Sequence, residues 1–105
     1  MTFMIYKTGE RISEKESIEM AYKLAEILAE NEDVIIDMKN TQYVVPSGIR
    51  VLLSYLKQFR AKGYDFSVVN VNHPLLKEIF TTVGLNDILL TSDKYFNDNK
   101  RGRIN

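Results

Sequence analysis

The sequence predicts an α/β fold, with a central, mostly parallel mixed sheet of about four strands covered by three main helices. Three observations point to it. Short β-branched runs alternate with longer amphipathic stretches, in the order strand, helix, strand, helix, strand, helix, strand. That order demands crossover connections, which produce parallel strands with helices laid over them. Finally, 105 residues with 45% apolar and 27% charged side chains are enough for one core and too few for two.

The elements follow in chain order. Phe3 to Tyr6 is a short apolar run closed by Thr8-Gly9, which reads as a first strand and a turn. Ser13-Glu14-Lys15-Glu16 has the spacing of a capping box. Behind it Ile18, Ala21, Leu24, Ala25 and Leu28 recur at helical spacing, with Met20 and Ile27 on the flank, and the helix ends near Asn31. Asp33-Val34-Ile35-Ile36-Asp37 lacks alternation, the pattern of a strand buried on both faces. Lys39-Asn40-Thr41 reads as a turn. Past Tyr43-Val44-Val45, the residues Ile49, Leu52, Leu53, Leu56 and Phe59 form one helical stripe, and Gly63 suits the position just after its end. A strand over Asp65 to Val71 leads to Pro74, which fits a helix's first turn, and Leu75, Leu76, Ile79, Phe80 and Val83 supply that helix's buried face. Gly84-Leu85 reads as a Schellman ending, and Ile88-Leu89-Leu90 as a last strand. The domain therefore spans 1–90, followed by a polar, partly basic tail over 91–105.

Composition excludes several classes of function. The 14 basic and 14 acidic side chains cancel, so no global positive field draws in nucleic acid. The chain has no cysteine and one histidine, which removes thiol catalysis, disulfides and the usual zinc sites. That histidine, His73, stands beside Pro74 at a helix start, where capping explains it. Asp33 and Asp37 leave opposite ends of one strand and do not converge on a substrate. No glycine-rich nucleotide-binding spacing occurs. The expectation is a non-enzymatic domain with no metal and no cofactor. The chain lacks the basic and apolar start of a secretory signal, and no apolar run is long enough to span a bilayer. A cytoplasmic location is therefore expected. Lys100, Arg101 and Arg103 in the tail add at best about 1 kcal/mol each at an anionic surface, too little for stable membrane anchoring.

The informative segment is Val44-Val45-Pro46-Ser47-Gly48-Ile49, where a strand delivers the chain onto the strongest helix. Ser47 in that first turn either caps the helix or offers a hydroxyl for phosphorylation, at an end whose dipole favours anions.

This segment and its surroundings resemble the STAS domain, the fold of anti-sigma factor antagonists (anti-anti-sigma factors) and of the cytoplasmic tails of sulfate transporters. Val34-Ile35-Ile36-Asp37-Met38 is similar to the family's apolar strand ending in Asp-Leu. Pro46-Ser47-Gly48-Ile49-Arg50-Val51-Leu52-Leu53 resembles its Asp-Ser-Ser/Thr-Gly-Leu-x-x-Leu-Leu helix opening. Lys62-Gly63, Val68-Val69-Asn70-Val71 and Val83-Gly84-Leu85 resemble its glycine, apolar strand and Thr-Gly-Leu ending, and Gly9-Glu10 more loosely its lead-in.

The resemblance implies a regulatory binding module. In the antagonist branch a kinase-type anti-sigma factor binds the domain and phosphorylates the serine after the family's aspartate. About −1.5 to −2 added charges then force release. Aligned on Ser47-Gly48, the aspartate falls on Val45 and the acceptor serine on Pro46, which has no hydroxyl. Either the switch is lost or Ser47 has taken it over, and loss is the favoured reading.

The expected partner is a protein, an anti-sigma factor or kinase-type regulator, held through Val44, Val45, Pro46, Ser47, Gly48, Arg50 and Ser54. A role as accessory subunit of a membrane or lipid transport system is the alternative. The apolar first strand also makes a homodimer an expectation.

Overall fold

The computed structural model of the chain describes residues 3–84. The elements are β1 (Phe3–Lys7), β2 (Arg11–Ile12), α1 (Glu14–Ala29), β3 (Asp33–Asp37), β4 (Tyr43–Val44), α2 (Pro46–Ala61), β5 (Phe66–Val69) and α3 (Pro74–Thr82). The α/β architecture, with three helices on a parallel sheet, is the expected one. Its main sheet has the order β1-β3-β5, and both pairings are parallel. The expected strand at Ile88–Leu90, the Leu85 contact and the tail over 91–105 lie outside the described residues.

β3 is the middle strand and is buried on both faces, with Val34, Ile35 and Ile36 each fully inaccessible. Its alternate residues Val34 and Ile36, and Met38 just past its end, join Phe66 and Val68 in the core formed with the helices. Ile35, paired with Ser67, takes the other face. That is why the run shows no alternation in sequence.

A second, two-stranded parallel sheet pairs β2 with β4. The sequence reading has no strand at Arg11–Ile12. Two residues carry no periodicity, and their pairing with Tyr43–Val44 is a tertiary event. It is extended by Gln42 N–H donating to Glu10 O at 2.8 Å and by Val45 N–H donating to Ile12 O at 3.0 Å. This small ribbon holds the start of α2 beside the start of α1.

Local signals place the helix ends where the sequence predicts them. Glu16 accepts hydrogen bonds from the Ser13 backbone N–H and hydroxyl at the start of α1, and Asn31, at φ 59°, ends it. Pro46 and Pro74 open α2 and α3. Gly63 follows α2 at φ +85°, a left-handed position that suits glycine.

The buried face of α1 differs from the expected one. Met20, Leu24, Ile27 and Leu28 are buried, together with Ser17, while Ile18 is 59% exposed and Tyr22 75% exposed. The helix is rotated by about one residue from the stripe that begins at Ile18.

At the start of β3, Asp33 is buried, and one of its carboxylate oxygens accepts from Asp65 N–H at 2.9 Å. Desolvation, and then the charge of Asp33, push the Asp65 carboxyl above its usual range, against a smaller opposing pull from Arg60. A raised carboxyl pKa means that the native state holds its proton to higher pH than the unfolded chain. Stability from this group therefore falls as pH rises from the ordinary carboxylate value through the raised one. Asp65→Asn is accordingly expected to raise the melting temperature at neutral pH. The gain should shrink in acid, where both states of the wild type are protonated, and thermal melts across that range check it.

Candidate functional site

The junction between β4 and α2 is built on a close approach of two helix starts. Gly48 lies against Ser17 of α1, and a methyl group there would fall 2.7 Å from Val44 Cγ1 and 2.9 Å from Ser17 Oγ. Ser17 is small, and its hydroxyl donates to Ser13 O at 2.8 Å, so a polar side chain sits in the buried seam at little cost.

Val45 is the N-cap of α2 and uses only its backbone carbonyl, which accepts from Gly48 N–H at 2.9 Å and Ile49 N–H at 3.2 Å. Ser47 therefore does not cap the helix. It occupies the second helical position, half-buried, and its hydroxyl turns back toward Ser17 Oγ, 3.5 Å away. Pro46 is exposed at the first helical position.

The candidate surface residues divide by exposure. Pro46, Arg50 and Ser54 are exposed, and Val45 and Ser47 are half-buried. Val44 and Gly48 are buried beneath them. The packing of Val44 under Gly48 makes both of them supports of the junction.

Two features are not legible in the sequence. Beside Ser47 an apolar groove of about 470 Å³ runs between α1 and α2, lined by Ile18, Ala21, Tyr22 and Val51, with Glu14 and Ser17 also in its wall. Seeing it requires knowing which way α1 faces. On the ribbon below the junction, the Arg11 guanidinium lies 4.7 Å from the Tyr43 ring centroid, a cation–π contact that stiffens the approach to Pro46.

A second, polar cleft of about 640 Å³ opens at the carboxyl ends of the strands, between the loop carrying Lys39 to Gln42 and the loop carrying Asn72 and His73. Parallel sheets often hold ligands at that end, but here many of the polar atoms are consumed in holding the loops. Thr41 donates to Gly9 O at 2.6 Å. Asp37 accepts from Lys39 N–H at 3.0 Å and Asn70 Nδ2 at 2.9 Å. His73 caps α3, with Nδ1 accepting from Leu75 N–H at 3.2 Å. Asp33 and Asp37 thus serve separate structural ends of β3. Among the described residues no three His, Cys, Asp or Glu side chains converge as metal ligands, and no helix is long and apolar enough to cross a membrane.

The described elements form a parallel α/β domain with a proline-opened helix and an apolar groove at its strand-to-helix junction. The STAS domain family profile matches residues 2–99, and the chain belongs to that family. Among the solved structures that share the fold are two from proteins of different kinds. One is the anti-sigma factor antagonist SpoIIAA in its unphosphorylated form, at a TM-score of 0.80 and 14% identity, covering 100% of this chain and 94% of that one. The other is a sulfate transporter family protein from Wolinella succinogenes, at a TM-score of 0.63 and 16% identity, covering 83% of this chain and 70% of that one. No curated protein sequence matches the chain.

Proposed function

We propose that this chain is a non-catalytic, cytoplasmic regulator of the anti-sigma factor antagonist type. It binds a protein partner, an anti-sigma factor or kinase-type regulator, through the exposed side of the β4–α2 junction. The observation that carries the reading is the open apolar groove bounded by Ile18, Tyr22 and Val51, continuous with Ser47 at the junction. Apolar surface left exposed beside a rigid, proline-fixed turn suits an anchoring side chain from a partner. Pro46, Arg50 and Ser54 supply the rim around it, while Val44 and Gly48 hold the junction in shape from beneath.

The phosphoserine switch is lost in this reading. Proline stands where the family resemblance puts the acceptor, and the hydroxyl beside it, that of Ser47, faces Ser17 of α1. The protein then binds constitutively, and its control lies in partner abundance or competition.

The test uses an anti-sigma factor or histidine-kinase-like protein encoded beside this chain. Ile18→Asp and Arg50→Glu are exposed substitutions that leave the core intact. Together they are expected to weaken binding about 30-fold or more in calorimetry, the effect of losing one buried anchor worth about 2 kcal/mol. Unchanged affinity would remove this surface from the reading. Incubation with that kinase and ATP is expected to leave Ser47 unmodified by mass spectrometry, and stoichiometric phosphate on Ser47 would restore the switch.

A likeness in fold to the sulfate transporter family protein supports a second reading, an accessory subunit of a membrane or lipid transport system. Retention by a transporter's cytoplasmic portion, with none by anti-sigma factors, would favour it.

A further inference from the structure

We infer that β1 is a self-pairing edge, through which two copies of this chain join their sheets across a two-fold axis at Ile5.

The backbone of β1 sets the geometry. Thr8 N–H donates to Asp37 O at 3.1 Å, and the parallel register pairs Lys7 with Asp37. In a parallel ladder a residue turns its N–H and C=O to the same side, and the side alternates along the strand. Met4, Tyr6 and Thr8 therefore bond to β3, while Ile5 and Lys7 aim their backbone groups away from it. Among the described residues no strand lies on that side of β1.

The side chains at this edge are apolar and accessible. Ile5 is 47% exposed and Met4 37% exposed. Natural edges are blunted with proline, bulges or several charges. β1 has neither proline nor bulge, and its one charge, Lys7, sits at its end.

A second copy fits this edge because the five-residue strand is symmetric about Ile5 in pairing terms. Two-fold symmetry requires antiparallel strands. With the axis at Ile5, Ile5 faces its own copy as a hydrogen-bonded pair and both exchange N–H···O bonds. Met4 then lies opposite Tyr6 of the second copy, and Lys7 opposite Phe3. No like charges meet, and the chain's net charge of zero puts no long-range repulsion between copies. The joined sheet runs β5-β3-β1-β1-β3-β5. Five residues per copy make a small interface, so the dimer is concentration-dependent and not obligate.

The chain has no cysteine, which gives a clean crosslinking test. In a hydrogen-bonded antiparallel pair, facing Cα atoms are about 5.5 Å apart, inside disulfide range. Ile5→Cys is expected to form a covalent dimer on mild oxidation of the full chain. Met4→Cys, one residue away, meets its own copy only diagonally, at about 7–8 Å, and is expected to bridge poorly.

Sedimentation is expected to show wild-type dimer growing with concentration. It should be lost in Ile5→Lys and unchanged in Ile18→Asp, which touches only the partner groove. Far-UV circular dichroism confirms that Ile5→Lys stays folded. A wild-type monomer at every concentration, equal bridging by both cysteines, or a dimer that survives Ile5→Lys would each overturn the pairing. A dimer lost only with Ile18→Asp would move self-association to the groove and overturn it as well.

Discussion

Truncating Phe59 to alanine is expected to destabilise the domain by about 3–5 kcal/mol, the range for a large aromatic removed from a close-packed core. Phe59 is fully inaccessible at the end of α2. Its ring meets Phe66 of β5 edge-on, with centroids 5.5 Å apart and planes inclined by 65°, an arrangement worth about 0.5–1.5 kcal/mol beyond its area. The substitution removes the link that pins the far end of α2 to the sheet. A domain of this size holds only about 5–15 kcal/mol in total, so much of the population should unfold near its working temperature. Urea denaturation would show a large fall in midpoint with little change in slope. Phe59→Leu keeps most of the volume and should cost much less. Equal losses in the two variants would mean that volume is not what the site requires.

What could be read in the sequence is what depends on near neighbours in the chain. The both-face burial of Val34 to Ile36, the Ser13–Glu16 cap, the prolines that open α2 and α3, and Gly63 after α2 are set within a few residues each. The junction at Pro46–Ser47 was legible for the same reason. What escaped depends on contacts distant in sequence. On α1 the expected face runs through Ile18, Ala21, Leu24, Ala25 and Leu28, with Met20 and Ile27 on its flank. The neighbouring face from Ser17 shares Leu24 and Leu28 with it and opens on a polar residue, so the pattern does not mark that face out. The structure buries the stripe from Ser17. Ser17 lies in the seam because Gly48 needs a small neighbour there, and that requirement is written 31 positions away. The groove at Ile18 and Tyr22 follows from the same rotation, so the error in the stripe and the missed groove have one cause. β2 escaped because its partner strand, at Tyr43–Val44, lies beyond α1 and β3 in the chain.

Gly48→Ala is the second large effect expected, and its sign opposes helix propensity. Alanine in a helix interior is favoured over glycine by about 1 kcal/mol. Here the added methyl meets Val44 Cγ1 at 2.7 Å, Ser17 Oγ at 2.9 Å and Ile12 Cγ2 at 3.2 Å. Val44 and Ile12 are stiff, buried, β-branched side chains on the small ribbon, and Ser17 is held by its bond to Ser13 O. None is the loose end of a flexible chain, so the start of α2 must move away from α1. Overpacking of this kind costs about 1–3 kcal/mol, so a net loss of stability is expected in denaturant unfolding. Adding Ser17→Ala removes one of the close contacts and should recover part of the loss, a coupling that a double-mutant cycle measures. A neutral or stabilising Gly48→Ala would show that the seam is looser than these contacts imply. Because Pro46 and Ser47 ride on the same turn of α2, the shift that relieves the clash also displaces the junction from the groove. Partner binding should therefore fall in Gly48→Ala even under conditions where the domain remains folded, and Ser17→Ala should recover part of the binding together with part of the stability.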